Sequence, residues 1–175
     1  MPTRPHEPRD ADRIAEILAA GWRQAYVSFM PPAFLAPRID PELRKAEIRA
    51  WFAELDPTVE AIFVAETSGI VNGFIHMELG DKGELGATGV VDLLYVDPVA
   101  QRRGLGRDLM AAGAGWLLAQ RPGPLVLSAF RDNPFRHAYA ALGGQEARVV
   151  SHSIEDREIA SVLYFWPDPS VLLRR

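Results

Sequence analysis

Cysteine is absent from the chain, which excludes disulfide frameworks, thiolate metal sites and cysteine nucleophiles. Lysine is nearly absent, occurring only at positions 45 and 82. The remaining positive charge is arginine, whose planar fork suits bidentate phosphate contacts, although a GC-rich genome produces the same bias and is the simpler source. There is no excess of positive charge: the net charge is -4, so no diffuse basic surface draws the protein to nucleic acid. No apolar run approaches the roughly 20 residues of a membrane-spanning helix. The opening residues Met1 to Glu7 lack the apolar stretch of a secretory signal, so a cytoplasmic location is expected. His6, His137 and His152 are scattered without ligand spacing, and no metal is expected.

What is present is ordinary globular material. The 175 residues are 48% hydrophobic and 24% charged, enough to bury one core. The Pro-rich segments Pro2 to Pro8 and Met30 to Pro37 are too short to be interdomain linkers. With no internal repeat, residues 1–175 read as a single domain.

Local patterns divide the chain further. Asp10 is placed to cap a helix whose apolar face is Ile14, Ile17, Leu18, Gly21, Trp22, Ala25 and Tyr26. A second helix begins at Asp40-Pro41, carries Ile48, Trp51, Phe52 and Leu55, and ends at Asp56-Pro57. The period then changes to two. Ala61 to Glu66 and Ile70 to Leu79 read as a hairpin turning at Thr67-Ser68-Gly69. Val90 to Val96 is nearly continuous apolar sequence, expected to be a strand buried on both faces. Gly106 to Gln120 reads as a helix weakened by Gly113 and Gly115. Leu125 to Phe130 is a short strand, Pro134 to Leu142 a short helix stopped by Gly143-Gly144, and Ala147 to Ile154 and Ile159 to Trp166 are two last strands. This order implies a mixed α/β sheet rather than a doubly wound parallel one.

The segment richest in chemistry is Leu94-Tyr95-Val96-Asp97-Pro98-Val99-Ala100-Gln101-Arg102-Arg103-Gly104-Leu105-Gly106-Arg107. A buried strand runs through a basic, glycine-punctuated loop straight into a helix. Amides at a helix start are unpaired and lie at the positive end of the helix dipole, so they bind anions. Gly104 and Gly106 clear side chains where a diphosphate must touch backbone. The nucleotide patterns do not fit: Gly106 is followed by Arg107-Asp108 rather than Lys-Ser/Thr, and the loop has two glycines in mid-chain rather than three in a first βαβ unit.

Gln101-Arg102-Arg103-Gly104-Leu105-Gly106 resembles the Gln/Arg-x-x-Gly-x-Gly/Ala signature of the GNAT acyltransferases. Tyr139-Ala140-Ala141-Leu142-Gly143 is similar to the family's Phe-Tyr-x-x-x-Gly-Phe segment, with Ala138 and Gly144 in place of its phenylalanines. Trp22-Arg23-Gln24-Ala25-Tyr26 and Met30-Pro31 resemble the acceptor-side helices of many members. The resemblance implies a GNAT fold: a mostly antiparallel central sheet splayed between its fourth and fifth strands and flanked by about four helices.

It also implies acetyl-CoA as co-substrate, held by Gln101, Arg102, Arg103, Gly104, Leu105, Gly106 and Arg107 at its pyrophosphate. The pantetheine arm is expected along Leu94, Tyr95 and Val96 like an added strand, with the Leu94 amide facing the thioester carbonyl and Asn133 near the arm. Tyr139 is the expected acid for the departing thiolate. Asp92, a carboxylate in an apolar strand, is the candidate base, and its parity puts it on the face of Leu94 and Val96. His76 and Glu78 are alternatives acting through water, read as hairpin-surface residues. Trp22 and Tyr26 are the candidates for touching the acceptor, a small-molecule amine or a peptide N-terminus. The rival is a non-catalytic module that binds acyl-CoA as a sensor or partner-docking unit; it would keep the loop but need neither base nor Tyr139. Neither reading involves a membrane, and although such folds commonly dimerise, no sequence feature decides a homodimer.

Overall fold

The computed structural model describes residues 3–174; Met1, Pro2 and Arg175, and with them the first residues of the Met1 to Glu7 and Pro2 to Pro8 segments, lie outside these. In chain order the main elements are β1 (Thr3–Pro5), α1 (Ala11–Tyr26), α2 (Pro32–Leu35), α3 (Pro41–Glu54), β2 (Glu60–Thr67), β3 (Ile70–Leu79), β4 (Gly89–Val96), α4 (Leu105–Gln120), β5 (Leu125–Phe130), α5 (His137–Ala141), β6 (Gln145–Ile154) and β7 (Arg157–Trp166). Two of them, β1 and α2, have no counterpart in the sequence reading. Strand β1 is three residues long and ends in proline; it forms because the edge of β2 is open to it, with Thr3 opposite Ala65 and Pro5 opposite Phe63.

The strands join in the order β1-β2-β3-β4-β5-β7-β6. Among the described residues β4 and β5 are the parallel pair, and the others are antiparallel. The β2–β3 hairpin turns at Ser68 (φ 53°) and Gly69 (φ 79°), the two left-handed positions whose twist matches the flanking strands. The β4–β5 register runs only from Gly89 opposite Leu125 to Val91 opposite Leu127. Beyond it the two strands part. The expectation that β4 is buried on both faces therefore fails in its second half. Gly89 to Val91 are buried, Asp92 is exposed and Leu93 to Val96 are half-buried, because no strand covers that edge.

Helices α1 and α3 cover one face of the sheet, where Ile14, Ile17, Leu18 and Ile48 pack on Ile62, Val64 and Phe74. Helix α4 covers the other, with Leu109, Met110, Ala114 and Leu117 against Ile75, Met77, Val91 and Leu125. Asp40 caps α3 as expected, accepting from the amides of Glu42 and Leu43 at 2.9 and 3.3 Å. Asp10 does not act as a side-chain cap for α1. Its carboxylate instead accepts from the Glu7 amide at 2.7 Å and takes both terminal nitrogens of Arg4, at 2.8 and 3.0 Å, a bidentate contact that outweighs one backbone bond.

Gly113 explains how α4 approaches the sheet so closely. A Cβ there would lie 2.6 Å from Met77 Sδ and 3.0 Å from Ile75 Cδ1, so the helix tolerates a poor helix former for the sake of contact. Gly113→Val is expected to lower stability by roughly 1–3 kcal/mol through overpacking, read as a lower urea midpoint with an unchanged slope.

Candidate active site

Where β4 and β5 diverge, they enclose a cavity of about 880 Å³, closed by the loop before α4, by α5 and by the β6–β7 hairpin. Of the site residues nominated from sequence, all line it except Arg103, Trp22 and the alternative bases His76 and Glu78.

The loop is held at both ends. Asp97 accepts from the Val99 amide at 3.1 Å and pairs with Arg13 of α1. The Gln101 side chain donates to the Val96 carbonyl at 3.2 Å and exchanges two hydrogen bonds with Gln24 of α1, at 2.8 and 3.2 Å. The chain then takes left-handed conformations at Arg102 (φ 63°) and Gly104 (φ 84°) and enters α4. Asp108 donates to the Gly104 carbonyl at 3.0 Å, so the amides of Leu105, Gly106 and Arg107 precede the helical ladder and point outward at the positive end of the dipole. A Cβ at Gly104 or Gly106 would meet no described atom within 4 Å, which leaves open space above the loop. Arg102 and Arg107 line that space. Arg103 turns back toward the Val99 carbonyl, 3.5 Å away, so its side chain lies outside the cavity, contrary to the expectation that it lines the pyrophosphate site.

Three phenols meet across the opening. Tyr26 at the end of α1 and Tyr95 on β4 have their hydroxyls 3.3 Å apart. The Tyr95 ring stacks on Phe74 and presses on Gly21, where a Cβ would lie 2.5 Å from Tyr95 Cδ1. Tyr139 on α5 packs against Tyr164, with centroids 5.4 Å apart. Burial pushes all three hydroxyls above the ordinary phenol range; the next contribution is Tyr26 for Tyr95 and Tyr139, while the bond from Tyr95 opposes the rise at Tyr26. Each remains a neutral, proton-bearing group at neutral pH. Trp22 stands one turn before Tyr26 and packs on it edge-on at 4.7 Å. With the Arg38 and Arg44 guanidiniums 5.6 Å from its ring, Trp22 backs the wall rather than facing the cavity.

Asp92 is turned differently from the parity expectation. The β3–β4 register pairs His76 with Leu93 and then Met77 with Val91, leaving Asp92 as the extra residue of a bulge. Strict alternation is lost at that point. The Asp92 carboxylate reaches His76 Nδ1 at 3.3 Å, and the His76 ring packs on Trp51 of α3, on the face opposite Leu94 and Val96. The bond from His76 holds the Asp92 carboxyl below its usual range, against an opposing effect of burial. His76 is 2% exposed, which corrects its reading as a surface residue. Glu78 is part-exposed, and burial followed by the charge of Asp92 raises its carboxyl. Among the described residues, Glu60, His76 and Glu78 form the group with metal-ligand chemistry, their ligand atoms within 4.8 Å of one another.

Asn133 is buried; its Oδ1 accepts from the Phe135 amide at 2.9 Å while the residue also lines the cavity. Four contributors were not foreseen: Phe130, His152, Ser161 and Glu60. Phe130 packs 5.3 Å from Tyr26, His152 lies 3.1 Å from Ser161 Oγ on the far wall, and Glu60 stands behind His76. Their one sequence signal is position at a strand end or on an alternating face, which many surface residues share.

Residues 58–143 match the family model described as acetyltransferase (GNAT) domain. Over those residues, about half of its length, the chain carries a GNAT acetyltransferase domain. A mycothiol acetyltransferase of Amycolatopsis mediterranei (strain U-32) is 36% identical over 107 residues, 58% of this chain and 34% of that one. The uncharacterized N-acetyltransferase YuaI of Bacillus subtilis (strain 168) is 26% identical over 164 residues, 93% and 91% of the two. This chain thus spans about a third of the first relative's length and nearly all of the second's. The solved structure of yncA from Salmonella typhimurium, with its cofactor acetyl-CoA, has a TM-score of 0.68 at 18% identity over 100% of this chain and 95% of that one. The open sheet with its β4–β5 parallel pair is the GNAT fold. No helix among the described residues is long and apolar enough to cross a membrane.

The loop's two GNAT glycines should separate on substitution. Gly104→Val forces a β-branched residue to φ 84° and is expected to cost about 1–2 kcal/mol, seen as a lower urea midpoint. Gly106→Ala, at an ordinary helical position facing open space, is expected to leave stability equal or higher.

Proposed function

We propose that this GNAT protein transfers an acyl group, acetyl foremost, from acyl-CoA to a primary amine by direct attack in a ternary complex. The observation that carries this reading is that the anion-binding start of α4, Tyr139 and Asp92 all open onto one cavity. The coenzyme's pyrophosphate lies on the amides of Leu105, Gly106 and Arg107 with Arg102 and Arg107 beside it, while Gln101 and Arg103 hold the loop in shape. The pantetheine arm follows the uncovered edge of β4 past Leu94, Tyr95 and Val96, with Asn133 opposite. Residues 1–175 work as one domain, in the cytoplasm, on an acceptor that is a small-molecule amine or a peptide N-terminus; Tyr26 walls its site.

The chemistry then needs three transfers. The amine nitrogen forms a bond to the thioester carbon as its proton passes to the Asp92 carboxylate. The carbonyl oxygen takes negative charge, which the Leu94 amide stabilises. The carbon–sulfur bond breaks, and the Tyr139 hydroxyl gives its proton to the leaving thiolate. A phenol kept neutral by burial is suited to that donation, and the acetyl-CoA in the yncA structure supports the choice of donor.

Isothermal titration with acetyl-CoA, beside ATP and NAD, tests the reading: saturable binding of acetyl-CoA alone is expected, and its absence would overturn the assignment. Gly106→Val, which fills the space over the loop, should abolish that binding. Tyr139→Phe should leave acetyl-CoA affinity unchanged while lowering the rate of CoA thiol release by about 100-fold, measured over a panel of spermidine, free amino acids and a peptide with an unblocked N-terminus.

A further inference from the structure

Behind Asp92 a row of polar groups continues across the sheet. His76 Nδ1 lies 3.3 Å from Asp92 Oδ2, and Nε2 lies 3.2 Å from Glu60 Oε1. Glu78 Oε1 is 3.9 Å from the same Nε2. Trp51 of α3 closes over the ring edge-on at 4.6 Å. Two further charged or titratable groups act on this row: His6, beyond β1, and Lys82, from the connection between β3 and β4.

Three features of this row converge on one carboxylate. The first is the bulge, without which alternation would turn Asp92 toward α4 and away from His76. The second is the His76 ring, whose two nitrogens each face a carboxylate, so that a flip would put ring carbons in both places and lose both contacts. The third is Glu60, which anchors the far nitrogen while its own side chain is 20% exposed. A buried histidine needs only two backbone partners to be satisfied. Here it is spent on carboxylates from strands on either side, one of which faces the cavity.

We propose that His76 and Glu60 are positioning residues for Asp92: Glu60 orients the imidazole, and the imidazole fixes the direction of the carboxylate that meets the acceptor amine. The proposal rests on the reading of Asp92 as the base. The row presents an ionised, aimed carboxylate to an incoming ammonium, in the manner of ligands whose outer hydrogen bonds fix their orientation.

The test is a pH titration of the Asp92 side-chain carbon by NMR in the full chain, comparing the parent with Glu60→Gln, His76→Gln and His76→Leu. In the parent, Asp92 should titrate below the ordinary carboxylate range. Glu60→Gln does not touch Asp92, yet it should move the Asp92 midpoint upward by about half a unit or more. His76→Leu should move it further, and His76→Gln, which keeps a donor, should recover part of the shift. An Asp92 midpoint that does not move in Glu60→Gln overturns the proposal. Because Glu60 is part-exposed, that variant carries the test even where His76→Leu does not fold. Failure of the base reading is separate: Asp92→Asn would then retain full thiol release whatever the NMR result.

Discussion

Parallel pairing between β4 and β5 lasts three residues and stops, and the reason lies on their other edges. All eight residues of β4 but Asp92 are registered against β3, from Leu79–Gly89 to Gly73–Val96. All six residues of β5 are registered against β7, from Leu125–Trp166 to Phe130–Ser161. Each strand is committed to the twist of its own half-sheet, so the halves separate as they run on. The inner edges then carry backbone donors and acceptors that no neighbouring strand satisfies. A ligand able to pair with an extended chain is the natural occupant of such an edge, and the cavity exists because of this separation.

The charges around the opening are sorted by the same geometry. At one end lie the start of α4, Arg102 and Arg107, all favourable to phosphate. Asp92, with His76 and Glu60 behind it, sits earlier on β4 and is favourable to an ammonium. Between them stand Tyr26, Tyr95 and Tyr139, neutral hydroxyls in an apolar surround. Such an arrangement suits a long ligand with an anionic head and a neutral reactive end, meeting a cationic partner.

Close approach, as much as charge, sets these positions. Gly21 lets α1 rest on the Tyr95 ring, and Gly144 lets the chain after α5 pass Trp166, whose indole donates to the Leu142 carbonyl at 3.0 Å. Tyr26 and Tyr139 are held at the cavity by these two contacts. A side chain at Gly21 would push on the Tyr95 ring at the cavity wall, and one at Gly144 would press on Trp166 and the Tyr139 carbonyl.

What the sequence by itself determined was whatever local chemistry enforces. The period of apolar residues, the Asp40-Pro41 start, the Ser68-Gly69 turn and the glycine-and-arginine loop entering α4 depend on neighbours within a few residues, and each appears where it was expected. Tertiary structure alone decided the rest. The bulge that redirects Asp92 depends on how β4 meets β3, and the burial of His76 on where α3 lays Trp51. That Tyr26 faces the cavity while Trp22 stands behind it depends on how α1 sits against β4, and β1 exists only because β2 left an edge open. Each of these is a contact between residues distant in the chain, whose energy is set by packing that no local pattern records.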